Sequence, residues 1–226
     1  MIEGSLHCRA CGRGYPIKEG VPDFVVEPCL RATTRLQKAL YDLYAPLYDR
    51  LEARLAELSG FSEEELRREV VSRMEIGERD SVLEICVGTG GNIPYFREYT
   101  KGPIAGLDIS EGMLSTCRKR ALEEDWGEVE LFLGCAEYLP FADEVFDRVL
   151  IGGGISYFSD PKRALAEAAR VAKRKAKVVV YEQFTILERL LRRDRPPLEI
   201  LPPTLFPLRV AYPFGGRFYI LELLRD

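Results

Sequence analysis

The run Val82-Leu83-Glu84-Ile85-Cys86, followed by Val87-Gly88-Thr89-Gly90-Gly91-Asn92, sets the architecture of this chain. The first five residues read as an apolar strand carrying one carboxylate near its C-terminal end. The next six read as a glycine-rich turn, in which the backbone bends sharply and approaches a ligand closely. A helix following such a turn points free N–H groups at whatever sits there. The same rhythm continues toward the C-terminus. Ile104–Leu107 is a second strand, closed by Asp108, and Ser110 caps a helix to about Glu124. Val129–Leu133 and Phe146–Ile151 are two more strands. Asp160-Pro161 opens a helix to about Ala172, with proline at its first position. Lys177–Tyr181 is a fifth strand, residues 185–194 form a basic helix, and Leu205–Val210 and Arg217–Leu223 are two final strands separated by Gly215-Gly216. Alternating strands and helices with short connections predict an α/β domain with a mostly parallel sheet covered on both faces. The closing pair suggests one antiparallel edge strand.

Upstream of this domain, residues 62–76 form an amphipathic helix, with Ser62 as N-cap and Glu65 completing a capping box. Residues 31–58 carry Leu36, Leu40, Leu43, Leu47, Leu51, Leu55 and Leu58 at helical spacing, with Pro46 breaking or kinking the segment. Residues 1–30 are punctuated by glycine and proline and hold Cys8, Cys11 and Cys29. The expected organisation is a turn-rich knuckle over 1–30, a helical lid or linker over 31–80 and a ligand-binding domain over 81–226.

The 226 residues are 46% hydrophobic and 30% charged, which excludes a disordered chain. No apolar run approaches the roughly 20 residues of a membrane span, and the N-terminus does not read as a signal peptide. With 32 basic and 36 acidic side chains and a net charge of −4, there is no global basic field for wrapping nucleic acid. One Asn and two Gln among many Glu and Arg fit a thermophilic source. Six cysteines without a disulfide-framework spacing suggest a cytoplasmic protein with reduced thiols.

Asp108, at the tip of the second strand, can accept hydrogen bonds from a ribose diol. A dinucleotide-binding turn shares these features, but the third glycine of G-x-G-x-x-G is replaced by Ile93. Glu84 at the strand end would also repel a pyrophosphate, whereas it suits an ammonium or a sulfonium. Residues 40–182 resemble a class I S-adenosylmethionine-dependent methyltransferase, nearest to the menaquinone- and ubiquinone-biosynthesis group. The likeness rests on Val82–Gly90, Gly106-Leu107-Asp108-Ile109-Ser110-Glu111-Gly112-Met113-Leu114, Cys135-Ala136-Glu137-Tyr138-Leu139-Pro140-Phe141 and Phe146-Asp147-Arg148-Val149-Leu150. Tyr41–Asp49 resembles the lid helix of such enzymes. The resemblance implies a Rossmann-like seven-stranded sheet and S-adenosyl-L-methionine as cofactor. It implies that Glu84, Gly88 and Gly90 hold the methionine end, Asp108 the ribose, Ile109 and Met113 the adenine faces, and Ala136 and Glu137 its edge. Tyr48 would close the lid. Cys86 stands where the family usually has glycine; it is small enough for the turn to form, and packing rather than reactivity is its expected role.

Methyl transfer is an in-line displacement in which the protein supplies positioning and desolvation. The acceptor loop is Gly152-Gly153-Gly154-Ile155-Ser156-Tyr157-Phe158-Ser159-Asp160, where three glycines make room and Tyr157 and Phe158 either stack on the acceptor or pack in the core. The loop lacks the Pro-Pro-aromatic motif of DNA amino-methyltransferases. Arg189, Arg192, Arg193 and Arg195 suit phosphate or carboxylate, or form a solvated face. Lys173-Arg174-Lys175 reads as a helix C-terminal cluster.

The segment Cys8-Arg9-Ala10-Cys11-Gly12, then Tyr15–Pro22, resembles half of the small zinc-ribbon domain that activates RNA and translation-factor methyltransferases. Zinc on Cys8 and Cys11 would need Cys29, His7 or a partner chain; otherwise the knuckle is metal-free and packs Tyr15, Ile17, Val21 and Phe24 on the main domain. This likeness, the aromatic loop and the arginines favour an RNA base as acceptor, with a small quinone-type metabolite as the alternative. A non-catalytic cofactor-binding scaffold and a nicotinamide-dependent reductase are the other readings. The knuckle is also the expected surface for a homodimer or a protein partner.

Overall fold

The computed structural model describes residues 4–27, 41–42, 45, 54, 60–184 and 195–226. Cys29, Tyr48, every leucine of the stripe over 31–58, and the basic helix of 185–194 with Arg189, Arg192 and Arg193 lie outside them.

Three short strands, β1 (Gly4–His7), β2 (Gly14–Lys18) and β3 (Val21–Pro22), form a small antiparallel sheet. Next comes α1 (Glu63–Met74), whose first turn is acidic and whose N-cap amide, Ser62 N–H, donates to Glu65 Oε2 at 3.4 Å. The main domain then alternates β4 (Val82–Ile85), α2 (Ile93–Arg97), β5 (Ile104–Asp108), α3 (Glu111–Glu123), β6 (Val129–Leu133), β7 (Phe146–Gly152), α4 (Pro161–Val171) and β8 (Ala172–Gln183). It closes with β9 (Leu205–Ala211) and β10 (Phe218–Arg225).

The seven-stranded sheet runs β6-β5-β4-β7-β8-β10-β9. The parallel order reverses at β4, between β5 and β7, and a sheet of this kind binds ligands in the crevice at that switch point. The period-two alternation of strand side chains divides the core in two. Leu83, Ile85, Val149, Ile151, Val178 and Val180 pack with Ala164, Leu165, Ala168 and Ala169 of α4. Val82, Ile104, Leu131, Leu150, Val179 and Ile220 pack with Leu66, Val70 and Met74 of α1, Phe96 of α2 and Leu114 of α3.

Two expectations need correcting. The antiparallel strand is not at the edge: β10 pairs antiparallel with both β8 and β9, and β9 takes the edge. The reason is burial. β10 presents six consecutive buried residues, from Phe218 to Leu223, and needs neighbours on both sides. β9 is exposed over Phe206–Arg209 and carries Pro207, which lacks an N–H and suits an edge. The second correction concerns Lys173-Arg174-Lys175. These residues do not end a helix; they lie in the first part of β8, where the register against β7 shifts and Lys175 adopts φ 66°. Lys173 Nζ reaches both carboxylate oxygens of Asp147 at 2.8 Å, which explains its place there.

The N-terminal sheet packs on the opposite edge. Phe24 N–H donates to Leu133 O at 2.7 Å, and Asp23 bridges Leu133 in parallel fashion. Tyr15, Phe24, Phe132, Phe141 and Phe146 continue as a chain of ring contacts, with centroids 4.8–6.4 Å apart, from the small sheet into the main core. Arg118 of α3 clasps both the carbonyl and the carboxylate of Glu19. No helix among the described residues is long and apolar enough to cross a membrane.

Candidate functional site

The glycine turn leaves β4 at Cys86, which adopts φ 64°, followed by Gly88 at 54° and Gly90 at 81°. The turn therefore forms with a side chain in the left-handed region, at a cost of roughly 1–2 kcal/mol that glycine avoids. The Cys86 thiol sits in the wall opposite the acceptor loop: a Cβ added to Gly154 would lie 3.1 Å from its sulfur. Burial pushes the Cys86 thiol well above its ordinary value, so it stays protonated.

Two cavities open on either side of this wall. The first has a volume of about 130 Å³ and is mostly apolar, with Ile85, Leu107, Ile109, Met113, Ala136 and Phe158 around Asp108. The second has a volume of about 450 Å³ and is more polar, with Glu63, Arg67, Glu84, Asn92, Tyr181 and Glu182 beside Phe61, Phe184 and Phe218. Tyr41, Cys86, Gly88, Gly152, Gly153, Gly154 and Tyr157 line both.

Asp108 is fixed by the chain itself. Oδ2 accepts from Gly88 N–H and Oδ1 from Ser110 N–H, each at 2.9 Å. Burial raises its pKa, and these amides oppose the shift. Each carboxylate oxygen retains a second lone pair, enough for two hydroxyls of one sugar. Ser110 Oγ receives Met113 N–H at 3.1 Å and caps α3. From upstream, Asp42 Oδ1 accepts from Ser110 Oγ at 2.6 Å and from Gly112 N–H at 3.0 Å. Gly112 is required here, because a Cβ would lie 2.9 Å from the Asp42 backbone.

Glu84 is 2% exposed. Its Oε1 accepts from Asn92 Nδ2 at 2.6 Å, while Oε2 is the one buried side-chain oxygen among the described residues without a partner. Burial raises its pKa to about 8, against the lowering effect of Asn92.

The loop 152–160 after β7 is tied by two further buried carboxylates. Glu182 accepts from Gly154 N–H, Ser156 N–H and Ser156 Oγ, the last at 2.6 Å. Glu137 Oε1 accepts from Ser159 N–H at 2.8 Å and Asp160 N–H at 3.2 Å. Glu137 thus lines the apolar cavity while holding the loop, a role beyond the adenine edge that the resemblance gives it.

The remaining expected residues separate in position. Gly88, Asp108, Ile109, Met113 and Ala136 line the apolar cavity, and Glu84 lines the polar one. Gly90 lines neither: a Cβ there would lie 2.6 Å from Cys117 Sγ and 2.7 Å from the Trp126 ring, so its bareness serves packing. Tyr157 is 54% exposed at the junction of the cavities, whereas Phe158 lines the apolar cavity and packs on the α4-side core. Arg195 lies apart, at a smaller hollow with Pro197 and Ile200. Sequence reading missed Arg67, Asn92, Tyr181, Glu182 and Asp42. A lone Asn in a charge-rich chain was the one available signal, since the others reach the site from elements distant in sequence.

Cys8 and Cys11 are free thiols at the β1–β2 turn. Among the described residues no group of three or more His, Cys, Asp or Glu could hold a metal ion. Cys135 is disulfide-bonded, which departs from the expectation that all six thiols are reduced.

The sequence pattern of the ubiE/COQ5 methyltransferase family matches residues 32–194. A demethylmenaquinone methyltransferase of Halalkalibacterium halodurans is 32% identical over 152 residues, 66% of this chain and 62% of the relative, so the match spans less than two-thirds of the relative's length. Among solved structures, the [4+2]-cyclase SpnF covers 88% of this chain and 98% of its own at a TM-score of 0.66 and 15% identity. The complex between the Haloferax volcanii Trm112 methyltransferase activator and a methyltransferase covers 82% of this chain and 96% of that one at 0.62 and 16%. These two likenesses establish the fold alone. The sequence match spans most of the chain and takes in the glycine turn, Asp108 and the acceptor loop: the chain belongs to the ubiE/COQ5 methyltransferase family.

Proposed function

We propose that this chain is an S-adenosylmethionine-dependent methyltransferase acting on a small, flat, quinone-type acceptor rather than on RNA. The observation that carries the reading is the pair of cavities meeting at a wall of glycines. The apolar cavity holds an acid already oriented for a ribose. The polar cavity holds a buried carboxylate oxygen with no partner, which an ammonium group would satisfy. Both features fit the cofactor: Asp108 would take the ribose hydroxyls, Ile109, Met113 and Ala136 the adenine, and Glu84 the amino group. When bound, S-adenosylmethionine supplies an electrophilic methyl group on a sulfonium.

The chain's own residues do the rest by placement. Gly152, Gly153 and Gly154 leave the space between the cavities free of side chains. Glu182 and Glu137 hold the loop that carries Tyr157. Phe61, Phe184 and Phe218 offer apolar walls to an aromatic ring and a tail. Charge argues against RNA: Glu63 and Glu182 line the polar cavity against Arg67, the one cation among its described lining residues, a balance that disfavours phosphates. The demethylmenaquinone methyltransferases among the relatives support a quinone-type acceptor.

The test offers purified protein and labelled S-adenosylmethionine either a demethylated naphthohydroquinone or total RNA, across a salt series. Label on the hydroquinone at a rate insensitive to salt is the expected result. Label on RNA, lost steeply as salt rises, would overturn the choice of acceptor. Cofactor binding without transfer to either would point to a scaffold.

A further inference from the structure

Among the described residues that line both cavities, Cys86 alone is a non-glycine residue at positive φ. Its φ of 64° lies where glycine is at home and a β-carbon is strained. The thiol faces Gly154: a Cβ added there would lie 3.1 Å from Cys86 Sγ and 3.7 Å from Cys86 Cβ. A Cβ on Gly152 would lie 3.7 Å from the Cys86 carbonyl oxygen. Both sides of this gap are held. Gly153 N–H donates to Tyr181 O at 3.0 Å and Gly154 N–H to Glu182 Oε1 at 3.2 Å, while Val87 N–H donates to Leu107 O at 3.1 Å. The glycines have no side chain to move aside, and the backbone bonds on each side resist widening.

A left-handed non-glycine residue persists only where its surroundings over-determine it, and such residues cluster where ligands are clamped. That a ligand belongs here has separate support. Glu84, two residues earlier in β4, is 2% exposed and keeps Oε2 without a partner in the polar cavity that Cys86 also lines. The thiol is also chemically quiet. Burial keeps it protonated, and the thiolate rather than the thiol is the nucleophile. It can therefore stand next to a methyl donor without competing with the acceptor, and what it contributes there is volume.

We propose that Cys86 is a specificity-determining residue: its sulfur narrows the passage between the cavities from the strand side, against Gly154 on the loop side, so that a flat aromatic acceptor reaches the methyl group and one with bulk beside the accepting carbon does not. The inference rests on the methyltransferase reading of the site and deepens it. Acceptor shape is selected in the glycine turn itself, by a side chain that the local backbone conformation disfavours.

The test uses the full chain, S-adenosylmethionine and two naphthohydroquinones alike except for a tert-butyl group beside the accepting carbon. The readout is the ratio of their kcat/KM values. Wild type is expected to prefer the unsubstituted acceptor by about tenfold or more. Cys86→Gly relieves the left-handed strain and keeps the fold; it is expected to cut that preference by about tenfold, the size of a relieved overpacking. Cys86→Ala should cut it by about threefold, and Cys86→Ser, close to cysteine in size, should hold it within about twofold of wild type. An absent preference in wild type, or an unchanged ratio in both Cys86→Gly and Cys86→Ala, would overturn the inference while methyl transfer itself stands. A loss in Cys86→Ser equal to that in Cys86→Gly would also overturn it, since the thiol's chemistry rather than its volume would then be the cause. If the wild-type chain methylates neither hydroquinone, the reading of the site and the inference fall together.

Discussion

The two cavities meet at one wall, yet they are finished to different degrees. On the apolar side both carboxylates are aimed by backbone amides: Asp108 by Gly88 and Ser110, Glu137 by Ser159 and Asp160. On the polar side Glu84 keeps a buried oxygen without a partner. On the proposed reading, the nucleoside side would be preorganised by the chain, and the amino-acid side completed only by its ligand. Preorganisation reduces the ordering cost of binding; an unfilled buried charge makes binding depend on the ligand's own charge and on pH.

The largest expected effect lies on the finished side. Asp108→Ala removes the acceptor of two amides and, on the proposed reading, two ribose contacts. S-adenosylhomocysteine affinity should fall by about a hundredfold or more, from charge-assisted bonds of roughly 1.5–3 kcal/mol each. Calorimetry checks it, and a loss below about fivefold would show that the ribose sits elsewhere.

Next comes the wall. A Cβ on Gly152 would lie 2.8 Å from Glu84 Oε1 and 3.5 Å from the Tyr181 ring. Gly152→Ala should lower methyl transfer by about tenfold through displacement of Glu84, an effect of the size of overpacking in a tight site. Binding of 5′-methylthioadenosine should stay near wild type, since it makes no demand on Glu84. Equal loss for both would place the damage in the sheet rather than in the wall.

These two expectations differ in how far the sequence foretold them. Asp108 and the glycine turn were legible because they are contiguous with strands whose apolar runs announce them. The succession of strands and helices along the chain was legible up to β8 for the same reason. The position of β10 was not, because local pattern reveals that a strand is buried but not which neighbours bury it. Arg67 was hidden differently: on α1 it looks like one half of a surface Glu63–Arg67 pair at i, i+4 spacing. Only the approach of the helix to Gly91 turns it toward the cavity. Gly90 misled in the opposite direction, as a turn glycine whose bareness serves Cys117 and Trp126.

The pH dependence separates the cavities without mutation. In the free protein Glu84 titrates near 8, above its ordinary 4.5. A cationic ligand group needs the carboxylate, so binding below pH 8 must expel a proton. Affinity for S-adenosylhomocysteine should rise by up to about tenfold per unit as pH climbs toward 8, then level off. The stability of the unliganded protein runs the other way. Because the folded pKa is raised, Glu84 contributes most below about 4.5, and its contribution is lost as pH rises through about 8. Glu84→Gln should flatten both curves, and 5′-methylthioadenosine binding should show no such slope. A slope in S-adenosylhomocysteine binding that survives in Glu84→Gln would assign the proton to another group.

The smallest effect concerns two neighbours that sequence reading treated as a pair. Tyr157 is exposed at the junction of the cavities, and Phe158 is tucked into the apolar cavity and the core below it. Truncating each to alanine should therefore affect different partners. Tyr157→Ala should raise the acceptor KM by about three- to tenfold, in keeping with roughly 1 kcal/mol for a partly exposed aromatic contact, and leave S-adenosylhomocysteine affinity unchanged. Phe158→Ala should weaken the nucleoside and lower the melting temperature, because a packed ring is removed from the core. Steady-state kinetics with varied acceptor, set beside calorimetry on both variants, reads the split directly. Should Tyr157→Ala weaken cofactor binding while the acceptor KM holds, the junction would belong to the nucleoside side, and the acceptor would have to enter the polar cavity past Phe61 and Phe218 instead.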